Sequence, residues 1–228
     1  MHVYELRDQF AIDALVQADR PSPTPGPGQV LVRVRAVSLN YRDLLVVKGL
    51  YSRNLKLPLV PCSDAAGDVL AVGPGVKRVK VGDRVAGIFM QGWLSGPVTD
   101  THAKTALGGA IDGVLAEEVL LAEEGVVLLP DHLSYIEAST LPCAAVTAWH
   151  ALMVTGQIQP GDTVLTLGTG GVSMFALQLA KLAGAQVIAT SSSDAKLARA
   201  RQLGADKIIN YKTNPDWEQA VRQLTNSR

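Results

Sequence analysis

Cysteine is scarce in this sequence: there are two, Cys62 and Cys143, far apart and in no Cys-x-x-Cys arrangement. That argues against a disulfide framework and for a reducing compartment. Charge of one sign is lacking too. Lysine plus arginine number 21 and aspartate plus glutamate 21, so there is no electrostatic footprint for nucleic acid or an anionic membrane, and a small-molecule substrate fits better. Long apolar runs are missing as well. No stretch reaches the ~18 apolar residues of a membrane helix, and the start, MHVYELRDQF, has no basic segment followed by an apolar run. A soluble, cytoplasmic protein is expected. What is present is 47% hydrophobic side chains over 228 residues, enough to bury a substantial core in one large domain or two smaller ones.

Two styles of sequence meet near residue 130. Before it, short β runs are broken by glycine and proline. Val30 to Val37 alternates, with Val30, Val32, Val34 and Ala36 on one face and Leu31, Arg33, Arg35 and Val37 on the other, as in an antiparallel strand. Further strands are expected at Asp68 to Val72 and Asp83 to Gly87, joined by tight turns. Residues 91 to 113, rich in glycine and threonine without clear period, read as a long surface loop. From Ser134 the period becomes helical. Ser134 and Glu137 form a candidate capping box, and Pro142 is expected to divide the apolar segment that follows into two helices.

After Gly161 comes an expected buried strand, Thr163 to Leu167, then a glycine turn and a helix from about Val172 to Leu182. Val187 to Thr190 is the next strand. Asp194 is the expected N-cap of a helix stopped by Gly204. A third strand, Lys207 to Asn210, and a third helix, Asp216 to Leu224, complete the run. Strands alternating with helices imply parallel pairing with right-handed crossovers.

The turn GTGGVS at 168–173 lies between a strand and a helix, the context a dinucleotide fingerprint requires. Gly168 permits the tight turn, Gly170 lets backbone approach a pyrophosphate, and the helix opening at Gly171 and Val172 offers unpaired N–H groups and a positive dipole end. Ser173 replaces the third glycine with another small residue. The position that meets the adenosine ribose, about 20 residues on, is Ser191, followed by Ser192 and, nearby, Lys196. Without a carboxylate there, hydroxyls and an ammonium suit a 2′-phosphate, which favours NADP(H) over NAD(H). The alternative is that these serines only cap the following helix.

The segment LPCAAVTAWHAL at 141–152, followed by GDTVL at 161–165 and the fingerprint, resembles the junction between the two domains of medium-chain dehydrogenases/reductases. SLNYRDL at 38–44, GLY at 49–51, Ala66-Gly67, VGPGV at 72–76 and VGDRV at 81–85 resemble that family's successive landmarks. The resemblance implies a GroES-like catalytic domain at 1–130 and a partial Rossmann doubly wound parallel sheet at 131–228, in the quinone-oxidoreductase-like, alcohol-dehydrogenase-like branch. It also implies an Asn40 beside the nicotinamide, a Tyr51 facing the substrate, a Thr147 contacting the nicotinamide side and a Tyr211 packed by the 2′-phosphate. Each has a structural alternative: Asn40 could cap a helix starting at Tyr41, Tyr51 could be packing, and Tyr211 could close the third strand.

Zinc-dependent relatives place a cysteine at the Asn40 position and a histidine and a glutamate in the stretch aligned with residues 62–67, where this chain has Ser63 and Asp64. Only Cys143 sits where a further ligand would be, and one thiolate does not make the three protein ligands of a catalytic zinc. No cysteine lies within 88–115, so the structural zinc lobe is also missing. The expectation is therefore an oxidoreductase that passes hydride from NADPH to a quinone, enone or carbonyl without zinc. The alternative is a non-catalytic NADP-binding or redox-sensing protein, because only the first half of a dinucleotide fold precedes Arg228. A homodimer is expected only for a fuller form.

Overall fold

The computed structural model describes residues 1–52 and 54–225. The chain divides into two compact units, Met1–Cys143 and Ala144–Arg228. In the first unit, β1 (His2–Leu6) and β2 (Leu15–Asp19) form an antiparallel pair. A five-stranded antiparallel sheet follows, built from β3 (Gln29–Ser38), β4 (Asp64–Val72), β5 (Arg84–Gly87), β6 (Glu118–Ala122) and β7 (Val126–Leu128) in the order β6-β3-β4-β5-β7. Alternation explains the core: Val30, Val32, Val69, Val85, Val119 and Leu121 are buried in one cluster while Arg33 and Arg35 point to water. Three helices decorate the sheet, α1 (Tyr41–Val47), α2 (Asp100–Ala103) and α3 (Tyr135–Ser139). Because α3 packs on β3 and β4, residues 131–143 belong with the sheet.

The expected surface loop at 91–113 is only partly one. Residues 92–105 run along the surface and include α2, but Ala106, Leu107, Gly108 and Gly109 are buried, with bridges from Met90 to Ala106 and from Leu107 to Ile111. The glycines that remove periodicity are what let this turn pass through the interior. The expected capping box at the start of α3 is present: Glu137 N donates to Ser134 Oγ at 3.2 Å, and Ser134 N to Glu137 Oε2 at 2.9 Å. The break near Pro142 falls ahead of it. α3 stops at Ser139, and Pro142 sits in a wide π-type turn, Leu141–Ala145, whose larger ring accommodates the missing N–H and the bulky pyrrolidine.

In the second unit that turn runs on into α4 (Val146–Trp149) and a second π-type turn, His150–Thr155. There follow β8 (Thr163–Thr166), α5 (Gly171–Leu182), β9 (Gln186–Ser191), α6 (Asp194–Gln202), β10 (Lys207–Asn210) and α7 (Trp217–Leu224). The three strands pair in parallel in the order β10-β9-β8. Leu177 and Ala180 of α5, Val187 and Ala189 of β9 and Ala200 of α6 form the core. The expectation that the first of these strands is buried does not hold. β8 pairs only with β9 among the described residues, so Thr163 and Leu165 are exposed. The cap of α6 also moves by one residue: Ser193 is the N-cap and Asp194 the first helical residue, while Gly204 ends the helix at φ +108°. Among the described residues, no helix is long and apolar enough to cross a membrane. The fold is thus a GroES-like antiparallel unit followed by a partial Rossmann-like parallel unit.

Candidate functional site

In the second unit Gly168, Ser191 and Tyr211, three of the expected cofactor residues, lie at the C-terminal ends of the parallel strands. The chain leaves β8, turns at Gly168 with φ +85°, a region closed to most side chains, and enters α5 with Gly170 as N-cap. Gly168 N donates to Thr190 Oγ1 at 3.2 Å, tying the turn to the end of β9. A Cβ placed on Gly170 would meet nothing within 4 Å, so the space before the helix is open. Gly171 and Val172 form the first turn of α5, and Ser173 Oγ reaches back to Leu167 O at 3.3 Å.

Ser191, at the end of β9, is buried and its Oγ lies 3.5 Å from Thr169 Oγ1. Tyr211 is brought beside it, with Tyr211 N donating to Ser191 O at 3.1 Å. Ser192 is half-buried and Lys196 exposed on α6. Ala144 packs against Gly171, where an added Cβ would come to 3.3 Å, and Thr147, one turn further along, is exposed. A pyrophosphate fits this arrangement, since unpaired N–H groups and the positive end of the α5 dipole face open space.

In the first unit Asn40 is the N-cap of α1, and its backbone N–H donates to Asp43 Oδ2 at 2.8 Å. Its side-chain Nδ2 is buried and makes no hydrogen bond of ordinary geometry among the described residues, though it lies near enough to Asp64 to favour that group's ionised form. Capping is therefore the role that the structure shows for Asn40, with its amide nitrogen enclosed beside Asp64. Tyr51 stands half-exposed in the loop after α1.

A buried polar cluster near α1 was not legible in the sequence. Asp64 is fully buried, accepting from Ser63 Oγ at 2.6 Å and from Cys143 N at 2.8 Å. Burial pushes both Asp64 and Asp43 above the usual carboxylate range, with hydrogen bonds acting against that rise. Arg42 lies with its guanidinium carbon 4.6 Å from the Tyr51 ring centre and 4.7 Å from that of Phe89. Nothing local in the sequence marks Phe89 as the partner of Arg42.

The donor set does not fit a catalytic zinc. Where zinc-binding relatives carry ligands this unit offers an amide, a hydroxyl and a carboxylate engaged by Ser63 and Cys143, and the neighbouring Cys62 thiol is pushed up to about 12, mainly by burial.

An antiparallel GroES-like unit joined to a β-turn-α unit open at its helix N-terminus is the architecture of the medium-chain dehydrogenase/reductase class. Residues 26–131 match the alcohol dehydrogenase GroES-like domain and residues 171–228 the zinc-binding dehydrogenase family, although that second stretch contains neither cysteine nor histidine. A zinc-type alcohol dehydrogenase-like protein of Schizosaccharomyces pombe is 50% identical over 202 residues, which is 88% of this chain and 58% of that protein. A solved NAD-dependent alcohol dehydrogenase superposes with TM-score 0.89 at 40% identity, over 100% of this chain and 68% of its own. Escherichia coli quinone oxidoreductase, solved with NADPH, gives TM-score 0.83 at 25% identity, over 100% of this chain and 63% of its own. The chain belongs to the medium-chain dehydrogenase/reductase superfamily. It spans about three-fifths of the length of the S. pombe relative.

Proposed function

We propose that the protein is an NADPH-dependent oxidoreductase that delivers hydride to a quinone, enone or carbonyl substrate without zinc, in the cytoplasm. The observation that carries this reading is the open N-terminus of α5 at Gly170, tied through Gly168 and Thr190 to a strand end that presents Ser191 and Tyr211. A reduced nicotinamide, when bound, supplies the hydride. The chain's own part is to orient and to polarise. The Asn40 amide and the Tyr51 hydroxyl are donors suited to an oxygen that gains charge, and conjugation in a quinone or enone spreads that charge so that hydrogen bonds suffice. Leu39, Tyr41 and Leu50 are exposed around these residues in sequence, an apolar setting that favours a flat, weakly polar substrate.

The preference for NADPH rests on Ser191, Ser192, Lys196 and Tyr211. The nearest acidic residue in sequence, Asp194, accepts from Asn210 Nδ2 at 2.7 Å, which leaves the end of β9 without a carboxylate aimed at a ribose. The protein is expected to bind NADPH more tightly than NADH. Ser191→Asp should weaken NADPH by about 1–3 kcal/mol, the scale of a charge-assisted phosphate contact. Titrating both cofactors into the parent and the variant checks this, and equal affinity of the parent for NADH and NADPH would remove the assignment. Turnover of a small quinone with NADPH, in protein shown by metal analysis to hold no stoichiometric zinc, tests the reaction itself.

A further inference from the structure

Arg42 is the second residue of α1, yet its side chain turns inward and is nine-tenths buried. A buried guanidinium has to recover the hydration it loses. Here Nη1 donates to Leu107 O at 2.7 Å and to Gly108 O at 3.3 Å, and lies 3.8 Å from Asp43 Oδ1. Nε and Nη2 are buried without a hydrogen-bond partner among the described residues. The guanidinium also lies over the rings of Tyr51 and Phe89, whose negative π-faces attract the cation. The fit is close: a Cβ on Gly109 would come within 2.4 Å of Nη2, so the turn at 107–109 is shaped around the guanidinium.

Three stretches distant in sequence therefore meet at one side chain: α1 with the loop after it that carries Tyr51, the chain after β5 carrying Phe89, and the buried turn at 107–109. For Tyr51 this matters most. Its loop lacks regular secondary structure, its ring is half-exposed, and among the described residues its hydroxyl has no hydrogen bond that would fix it. The guanidinium of Arg42 lies over the ring. Lysine could not substitute, since a point ammonium has neither two flat faces nor a fork that reaches both carbonyls.

We propose that Arg42 is a positioning residue: clamped between Phe89 and the carbonyls of the 107–109 turn, its guanidinium sets where the Tyr51 phenol stands toward the substrate. This rests on the reading of Tyr51 as a substrate-facing donor. Its effect should appear in kcat more than in KM, because a displaced donor binds the ground state nearly as well but misses the developing charge.

The test uses the whole protein labelled with 3-fluorotyrosine, the Tyr51 signal being assigned by its loss in Tyr51→Phe. Arg42→Lys and Phe89→Leu should each move the Tyr51 fluorine resonance toward that of free tyrosine, while NADPH affinity stays within about twofold. Quinone turnover should fall about ten- to a hundredfold in kcat for Arg42→Lys, the scale of a misplaced reacting group. In a Tyr51→Ala background, adding Arg42→Lys should cost almost nothing more. An unmoved Tyr51 resonance in Arg42→Lys, or an equal loss of kcat with and without Tyr51, would overturn the proposal. Should Arg42→Lys not fold, Phe89→Leu, which keeps the guanidinium, decides by the same resonance and the same cycle. Failure of the unmodified protein to reduce any quinone would count against the functional reading alone, because the resonance still decides whether Arg42 places Tyr51.

Discussion

A Gly170→Asp variant is expected to bind nicotinamide dinucleotide roughly a thousandfold more weakly than the parent while unfolding at the same or a slightly higher urea concentration. The two effects have separate causes. Gly170 is the N-cap of α5 with φ −77° and ψ 176°, a conformation open to any residue, and a Cβ there meets nothing within 4 Å. Aspartate is a better N-cap than glycine by a few tenths of a kcal/mol, so the fold should gain about that much. The same carboxylate would stand where a pyrophosphate has to approach the helix. Two like charges about 4 Å apart near a protein surface repel by about 4 kcal/mol, which is the thousandfold loss. Cofactor titration followed by fluorescence, with urea unfolding alongside, reads both quantities. Unchanged affinity in a folded variant would mean that the phosphates do not lie at α5.

The parts of the molecule legible in the sequence are those set by short-range period and turn chemistry. The alternation of Val30, Val32 and Val34 gave β3, the Ser134 and Glu137 pair gave the start of α3, and the glycines at 168, 170 and 171 marked a strand-turn-helix that is present with nearly the expected ends. What the sequence did not yield depends on partners far away in the chain. β1 pairs with β2 across an irregular stretch with no tight-turn dipeptide, so the hairpin left no local mark. The buried 106–109 turn meets partners far off in the chain, among them Cys62 and Arg42, the latter some 65 residues before the Leu107 carbonyl to which it donates. The exposed face of β8 follows from its having one pairing rather than two among the described residues, which an apolar run alone does not reveal. Asn40 illustrates the limit in the site itself. A capping role and a catalytic role both predict asparagine there; the structure shows the cap, built by the backbone N–H of Asn40 and the carboxylate of Asp43, with the Asn40 amide nitrogen buried near Asp64.

The same small substitution at another glycine should have the opposite balance. Gly67 lies in β4, in the middle of the five-stranded sheet, paired with Val34 on one side and Val85 on the other. A Cβ there would stand 2.0 Å from Arg33 O and 2.9 Å from Arg33 C. That obstacle is strand backbone, so it has no rotamer by which to move aside, and β3 must shift away from β4 to admit a methyl group. Such a shift weakens ladder hydrogen bonds at the centre of the sheet and disturbs the packing of Val32 and Val69 beneath it. Overpacking of this kind costs about 3 kcal/mol or more. Gly67→Ala is therefore expected to lower the urea midpoint sharply, whereas Gly170→Ala, whose methyl group enters open space, should change it little. The strand also carries Asp64, which accepts from Cys143 N and Ser63 Oγ, so the shift should reach the cluster below Asn40. Equilibrium unfolding of the two alanine variants side by side measures the contrast. Equal midpoints would show that β3 and β4 can separate far more easily than their close approach at Gly67 implies.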